Sequence, residues 1–221
     1  FEYVAGAGYG YQLNPSFSIG INVNVIGSHL ETYSSFGLCS NFGASYSSEN
    51  KLFSLSILAK NIGYQLKSYV SANRSSLPIE IQASTSIKLK HAPFRFSIIA
   101  HHLNEWDITY FDPTIKPEID GLTGETILNT GAGFGEILAR HLAYQIELIT
   151  AGFLQLRVGF DYNRRQELKL EEQPGMSGFS LGLGLKFKRI NIDYGFNIYS
   201  KAGFCNTLGI SSKLSDWKKG K

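Results

Sequence analysis

From Ile79 to Lys90 the chain alternates residue by residue. Ile79, Ile81, Ala83, Thr85, Ile87 and Leu89 fall on one face, and Glu80, Gln82, Ser84, Ser86, Lys88 and Lys90 on the other. Successive side chains of a strand point to opposite faces, so this segment is a ribbon with one apolar and one polar side. The alternation returns from Phe17 to Val25, with Ser18, Gly20, Asn22 and Asn24 opposite. It returns again from Leu154 to Tyr162, against Gln155, Arg157, Gly159 and Asp161, and from Phe179 to Phe187, against Ser180, Gly182, Gly184 and Lys186. Many such segments of roughly ten residues in one chain are the signature of a transmembrane β-barrel, apolar toward lipid and polar toward a watery interior.

Composition agrees with this. A mean hydropathy of -0.08 and the lack of any long apolar run exclude transmembrane helices but not barrel strands, which are only half apolar. The 13% aromatic residues and 23 glycines suit interfacial girdles and an inner wall of small residues. A net charge of +3, with basic residues scattered apart from Lys218 and Lys219, gives no ground for nucleic-acid binding.

The alternation predicts eleven strands, near 2–13, 17–26, 35–47, 52–60, 79–90, 94–103, 143–150, 153–163, 177–188, 190–199 and 205–214. A soluble β-sandwich would also alternate, but its strands are nearer five or six residues. Connections after odd strands are short and rich in turn residues, such as Asn14-Pro15 and Ala151-Gly152. Those after even strands are longer: 27–34, 61–78, 104–142, 164–176 and 200–204. Outer-membrane barrels have short periplasmic turns and long extracellular loops, which sends the odd strands toward the periplasm. Such barrels have even strand numbers, so an odd number of strands is expected before Phe1, and the chain opens inside a strand with no signal peptide. The expected division is a barrel over 1–214 and a periplasmic tail over 215–221. Within 104–142, the stretch 134–141 has helix formers enough for two turns. The remainder either folds into the lumen or reaches outward to a partner.

Cys39 and Cys205 fall in the third and last strands, too far apart for a disulfide, and neither has metal-ligand spacing around it. His101, His102 and Glu105 form the densest titratable cluster. Adjacent histidines on a strand face opposite ways and cannot share a metal without a bend, so His102 beside Trp106 reads as an interfacial anchor. The glycine patterns Gly6-x-Gly8-x-Gly10 and Gly182-x-Gly184 lie in strand alternation with no helix following, so they are inner-wall residues and not phosphate cradles. No nucleophile elbow or triad is recognisable. Arg164-Arg165 and Asn73-Arg74 lie at the predicted extracellular tips, as solvated charge or as contacts for a surface partner or anionic sugar.

Several stretches resemble the PorQ proteins, outer-membrane components of the type IX secretion system of Bacteroidetes. They are Lys60-Asn-Ile-Gly-Tyr-Gln65, His91-Ala-Pro-Phe-Arg-Phe-Ser97 with His101-His102-Leu103 and Trp106-Asp107, Arg164-Arg-Gln-Glu-Leu-Lys-Leu170, and Gly175-Met-Ser-Gly-Phe-Ser-Leu-Gly-Leu-Gly-Leu-Lys186. The resemblance runs from about residue 30 to 213. It implies a FadL-like barrel of fourteen strands, about eleven of them present here, in the bacterial outer membrane. It further implies a non-enzymatic anchor for the cell-surface attachment complex, with a PorU-like sortase, a PorV-like barrel and a PorZ-like surface protein as partners, in contact with outer-membrane lipid and lipopolysaccharide. Asn73, Arg74, Trp106, Asp107, Arg164 and Arg165 are then the candidate partner contacts on the outer loops. No catalytic residue, metal ligand or cofactor site follows from the resemblance. The tail Ser215-Asp-Trp-Lys-Lys-Gly-Lys221 departs from the terminal aromatic common in barrel proteins. A FadL-like transporter of small hydrophobic compounds is the alternative reading, and an outer-membrane hydrolase a more distant one.

Overall fold

The structure, a computed structural model, describes residues 1–69, 76–109, 133–150, 152–168, 175–200 and 203–212. They form one antiparallel sheet of eleven strands and two short helices. The strands are β1 (Glu2–Gln12), β2 (Phe17–Leu30), β3 (Tyr33–Ser47), β4 (Phe53–Lys67), β5 (Glu80–Lys88), β6 (Phe94–Ala100), β7 (Leu142–Thr150), β8 (Leu154–Asp161), β9 (Phe179–Lys186), β10 (Asn191–Ser200) and β11 (Gly203–Ser211). Helix α1 (Phe134–Arg140) precedes β7, where the sequence predicts helical turns, and α2 (Tyr162–Leu168) follows β8. Each strand pairs with its neighbours in the chain, so sheet order equals chain order, β1 to β11. The sheet is not closed, and β1 and β11 are its two edges. No described helix is long and apolar enough to cross a membrane, which leaves crossing by strands untouched.

The registers keep the two faces separate across the whole sheet. Phe17 opposes Tyr46, Tyr46 opposes Leu55, and Leu55 opposes Thr85 on one face. Ile87 opposes Phe96, Phe96 opposes Ile146, and Ile146 opposes Val158 on the same face. A slip of one residue anywhere would exchange the faces, so the pattern and the register specify each other. The apolar face is open: Ile57 is 55% exposed and Leu181 50%. Among the described residues Cys39 is the one buried hydrophobic residue, while the buried polar residues are His101, His141, Glu147 and Ser177. A water-soluble domain buries its apolar side chains, so this sheet is polarised the opposite way.

Short connections gather on one edge of the sheet, as the sequence predicts. On the other edge, which we call the rim, two expectations are revised. β2 and β3 continue through the predicted loop 27–34 and meet at Glu31-Thr32, with Glu31 at φ 52°. β4 runs on to Lys67, well past its predicted end. Strand-forming residues with good cross-strand partners, such as Phe36 opposite Gly27 and Tyr64 opposite Leu38, extend the ladder where the alternation alone is too irregular to read. At 15 residues each, β3 and β4 span about 50 Å at the usual rise per residue. The break in the alternation of β4 is a bulge. Ser40 opposes Ile62 while Phe42 opposes Ala59, so Lys60 and Asn61 together face Asn41. Asn61 adopts φ 59°, its N–H donates to Asn41 Oδ1 at 2.8 Å, and its Nδ2 donates to the Pro78 carbonyl at 3.1 Å. Beyond the bulge Gly63 lies so close to β3 that a Cβ there would collide with the Leu38 carbonyl and Cys39 Cα. Cys39 on β3 and Cys205 on β11 are both free thiols.

Candidate functional site

Two groups of polar side chains occupy the polar face. The first crosses the sheet at mid-strand. Arg95 on β6, Glu147 on β7 and Arg157 on β8 are direct cross-strand partners. Glu147, 5% exposed, accepts from Arg95 Nη1 at 2.9 Å on Oε2 and from Arg157 Nε at 3.0 Å on Oε1. Arg157 then passes over β9, donating from Nη1 to Asp193 Oδ1 on β10 at 2.9 Å and from Nη2 to Gln155 Oε1 at 2.6 Å. Gly182 and Gly184 of β9 make that passage possible, for a Cβ on Gly182 would lie 3.2 Å from Arg157 Cβ. The Gly-x-Gly pattern is thus a groove for a guanidinium. Over β1–β6 the same side holds an open groove of about 650 Å³ whose lining mixes Ser18, Asn41 and Ser84 with Leu58 and Ile99.

The second group lies at the rim, where the chain leaves β6 and returns into β7. β6 ends at Ala100, and a turn follows with His102 at φ 53°. Leu103 N–H donates to the Ile81 carbonyl at 2.9 Å. Asn104 clamps the start of β5 from both sides, accepting from Ile81 N–H at 3.0 Å and donating to the Ile79 carbonyl at 2.9 Å. This is the bend that a straight strand lacks. It brings the two rings together, His101 Nδ1 2.7 Å from His102 Nδ1, and sets His102 Nδ1 3.8 Å from Glu80 Oε1. His102 therefore turns toward the polar face and not outward as an interfacial anchor. Donor atoms of Glu80, His101 and His102 all lie within 4.8 Å of one another, a spacing that could hold a metal ion. Glu105, the acid expected beside the histidines, is not in this group, and Glu80 stands in its place.

Glu80 is oriented by Lys60 Nζ at 2.9 Å on Oε2 and by Gln82 Nε2 at 2.5 Å on Oε1. His101 is 8% exposed, with its buried Nε2 lacking a hydrogen bond and Asp161 Oδ1 3.9 Å away. Burial lowers the His101 pKa from the ordinary histidine value, and the nearby Asp161 carboxylate opposes that shift without cancelling it. His141 closes the rim from below. Its Nδ1 lies 2.7 Å from the His101 carbonyl oxygen and its Nε2 3.0 Å from that of Trp106.

The candidate partner contacts take different places. Trp106 stacks on His141 at 5.6 Å between ring centroids and still exposes half its surface. Asp107 is exposed and accepts from the Thr109 amide at 3.0 Å and hydroxyl at 2.6 Å, which hold its carboxyl below the usual range. Arg164 and Arg165 sit in α2, not at an open loop tip. The Arg164 guanidinium lies 4.9 Å over the Tyr199 ring, and Arg165 Nη1 donates to the Gly175 carbonyl at 2.6 Å. Asn73 and Arg74, like the tail 215–221, lie outside the described residues. The sequence alone does not single out Glu80, His141 or Asp161 as site residues. It offers a signal for His141, because the residues ending one strand and starting its antiparallel neighbour must meet whatever the length of chain between them. Comparison with known proteins adds no family, since no family model matches the chain and no curated protein does.

Proposed function

We propose that this chain is the wall of an outer-membrane β-barrel that anchors the surface attachment complex of a type IX secretion system, with no chemistry of its own in that role. The observation that carries the membrane reading is the inverted polarity of the sheet. A broad face of Ile, Leu, Val, Phe and Tyr stands exposed while Glu147 and its arginines are sheltered on the other side. That distribution suits lipid against one face and water against the other. In this reading further strands complete the wall along β1 and β11, because unpaired backbone groups in lipid cost several kcal/mol each.

The secretion role rests on the resemblance to PorQ proteins, and the stretches that carry it have a spatial logic. The Lys60–Gln65 stretch contains the β4 bulge, the His101–Asp107 stretch makes the rim turn, and the Arg164 stretch makes α2. These three lie at the rim, the end that would face outward and meet partners, while the matching stretches His91–Ser97 and Gly175–Lys186 run into β6 and β9 and belong to the wall. A FadL-like transporter of small hydrophobic compounds is the second reading, and the apolar side chains lining the groove, Leu58 and Ile99 among them, favour it. The test is mild detergent extraction of the protein from its native outer membrane, followed by affinity purification and mass spectrometry. Stoichiometric recovery of a sortase, a second barrel or a large surface protein is expected, and deletion should release that surface protein into the medium. Recovery of the chain alone with a bound lipid, and unchanged cargo attachment on deletion, would overturn the reading.

A further inference from the structure

We propose that Glu80, His101 and His102 form a binding site for one divalent cation of the zinc type at the rim. Two imidazoles and one carboxylate are the donors that suit late first-row divalent metals. With three protein ligands, zinc takes a fourth position from water or an outside donor. One donor atom from each residue lies within 4.8 Å of the others, and His102 Nδ1 stands 2.7 Å from His101 Nδ1 and 3.8 Å from Glu80 Oε1, brought together from a turn, a strand end and a neighbouring strand. The convergence is built by other parts of the chain: Asn104 pins the turn against β5, and Lys60 holds the far oxygen of Glu80.

A second observation points the same way. When Nδ1 of a histidine binds a metal, its proton resides on Nε2, and ligating histidines almost always give that proton to a carboxylate, carbonyl or water. His101 Nε2 is buried without a partner, and the nearest carboxylate oxygen, on Asp161, is 3.9 Å away. Rotation of the His101 ring toward the cation's position and closure onto Asp161 would satisfy the orphaned nitrogen. Asp161 is itself fixed, accepting from the Arg164 amide at 3.0 Å at the start of α2. The two Nδ1 atoms stand 2.7 Å apart, closer than the separation of about 3.3 Å that two nitrogens have around a tetrahedral zinc. His102, with 43% of its side chain exposed and lying on a turn, is free to give those few tenths of an ångström.

The experiment is a titration of the tag-free, chelator-treated full chain in detergent with Zn2+, followed by calorimetry, and with Co2+, followed by its visible spectrum. One site per chain is expected, with tetrahedral cobalt bands. His102→Ala and Glu80→Gln should each weaken Zn2+ binding at least tenfold, and Asp161→Asn, which keeps the helix cap, about 10–100-fold. His91→Ala, at the opposite edge, should leave the affinity unchanged. His102→Ala should match the unmodified chain in strand content by circular dichroism, and Zn2+ should raise the melting temperature of the unmodified chain but not of His102→Ala. Equal Zn2+ binding by the unmodified chain and His102→Ala, or no binding by the unmodified chain, would overturn the proposal.

Discussion

Arg157 reaches Asp193 over an intervening strand, its Nη1 2.9 Å from the Asp193 carboxylate while β9 runs between β8 and β10. The span exists because Gly182 and Gly184 leave the polar face of β9 bare. A Cβ on Gly184 would stand 3.1 Å from Asp193 Oδ1 and 3.3 Å from Arg157 Nη2. Gly184→Val should therefore cost about 1–3 kcal/mol by overpacking. A double-mutant cycle by equilibrium unfolding separates this from a general effect. Asp193→Asn should cost about 0.5–1 kcal/mol in the native background, as an ion pair half open to water, and nearly nothing in the Gly184→Val background.

Glu147 is the hinge of the charged ladder, with one oxygen on each of two arginines. Removing it leaves two guanidinium groups facing each other, Arg95 without the carboxylate it pairs with and Arg157 with Asp193 alone. Loss of one partner of a fully buried pair costs about 3–5 kcal/mol, and the arginines here, each about a third exposed, reduce this to on the order of 2–3 kcal/mol for Glu147→Ala. Chemical unfolding checks it. A variant as stable as the native chain would mean that the ladder contributes nothing net.

The strand count and the two faces were readable because a half-polar strand has a period of two that no other element shares. All eleven strands appear at their predicted places, with some ends displaced at the rim, and so does the helix at 134–140. What escaped was set by pairing. The loop expected at 27–34 is strand because Gly27, Ser28 and His29 find partners in Phe36, Ser35 and Ser34, and sequence does not announce partners. The rim cluster escaped for the same reason, since Glu80 and His102 meet only through the register of β5 with β6 and a left-handed turn at His102. α2 was hidden because Tyr162, its first residue after the Asp161 cap, continues the strand alternation.

The bulge in β4 gives a backbone test. Asn61 holds φ 59°, a conformation that glycine accepts and a β-branched residue resists by about 1–2 kcal/mol. Asn61→Val should be less stable than Asn61→Gly by that margin, because both variants lose the bond to the Pro78 carbonyl and keep the amide bond to Asn41 only if the bulge persists. Equal stability of the two would mean that the bulge slips out of register when Asn61 is replaced.

The turn after Trp106 should respond to acid. The Thr109 hydroxyl and amide both donate to Asp107, which lowers the pKa of its carboxyl in the folded state. The contribution to order is thus full above the unfolded aspartate range and is lost as pH falls through the depressed value. Hydrogen exchange at the Thr109 amide should rise, beyond its intrinsic pH dependence, over that acidic window, and Asp107→Asn should flatten the response. A native-like response in Asp107→Asn would assign it to another group.

The membrane reading makes the opposite faces of one hairpin behave differently. Leu183 lies on the apolar face between Leu156 and Tyr194, while Gly195 lies on the polar face, where a new Cβ would meet only Thr207 at 3.8 Å. Gly182 is less suitable as the polar position, because Arg157 already covers it and a lysine there would be rejected by charge. Leu183→Lys should cost roughly 2–4 kcal/mol if the residue sits near the bilayer midplane. Gly195→Lys should cost far less, since its ammonium group extends into water. Folding of both variants into lipid vesicles, followed by denaturant titration, measures the difference. A large penalty at Gly195 with none at Leu183 would reverse the faces, and equal tolerance would remove the bilayer from the account of this sheet.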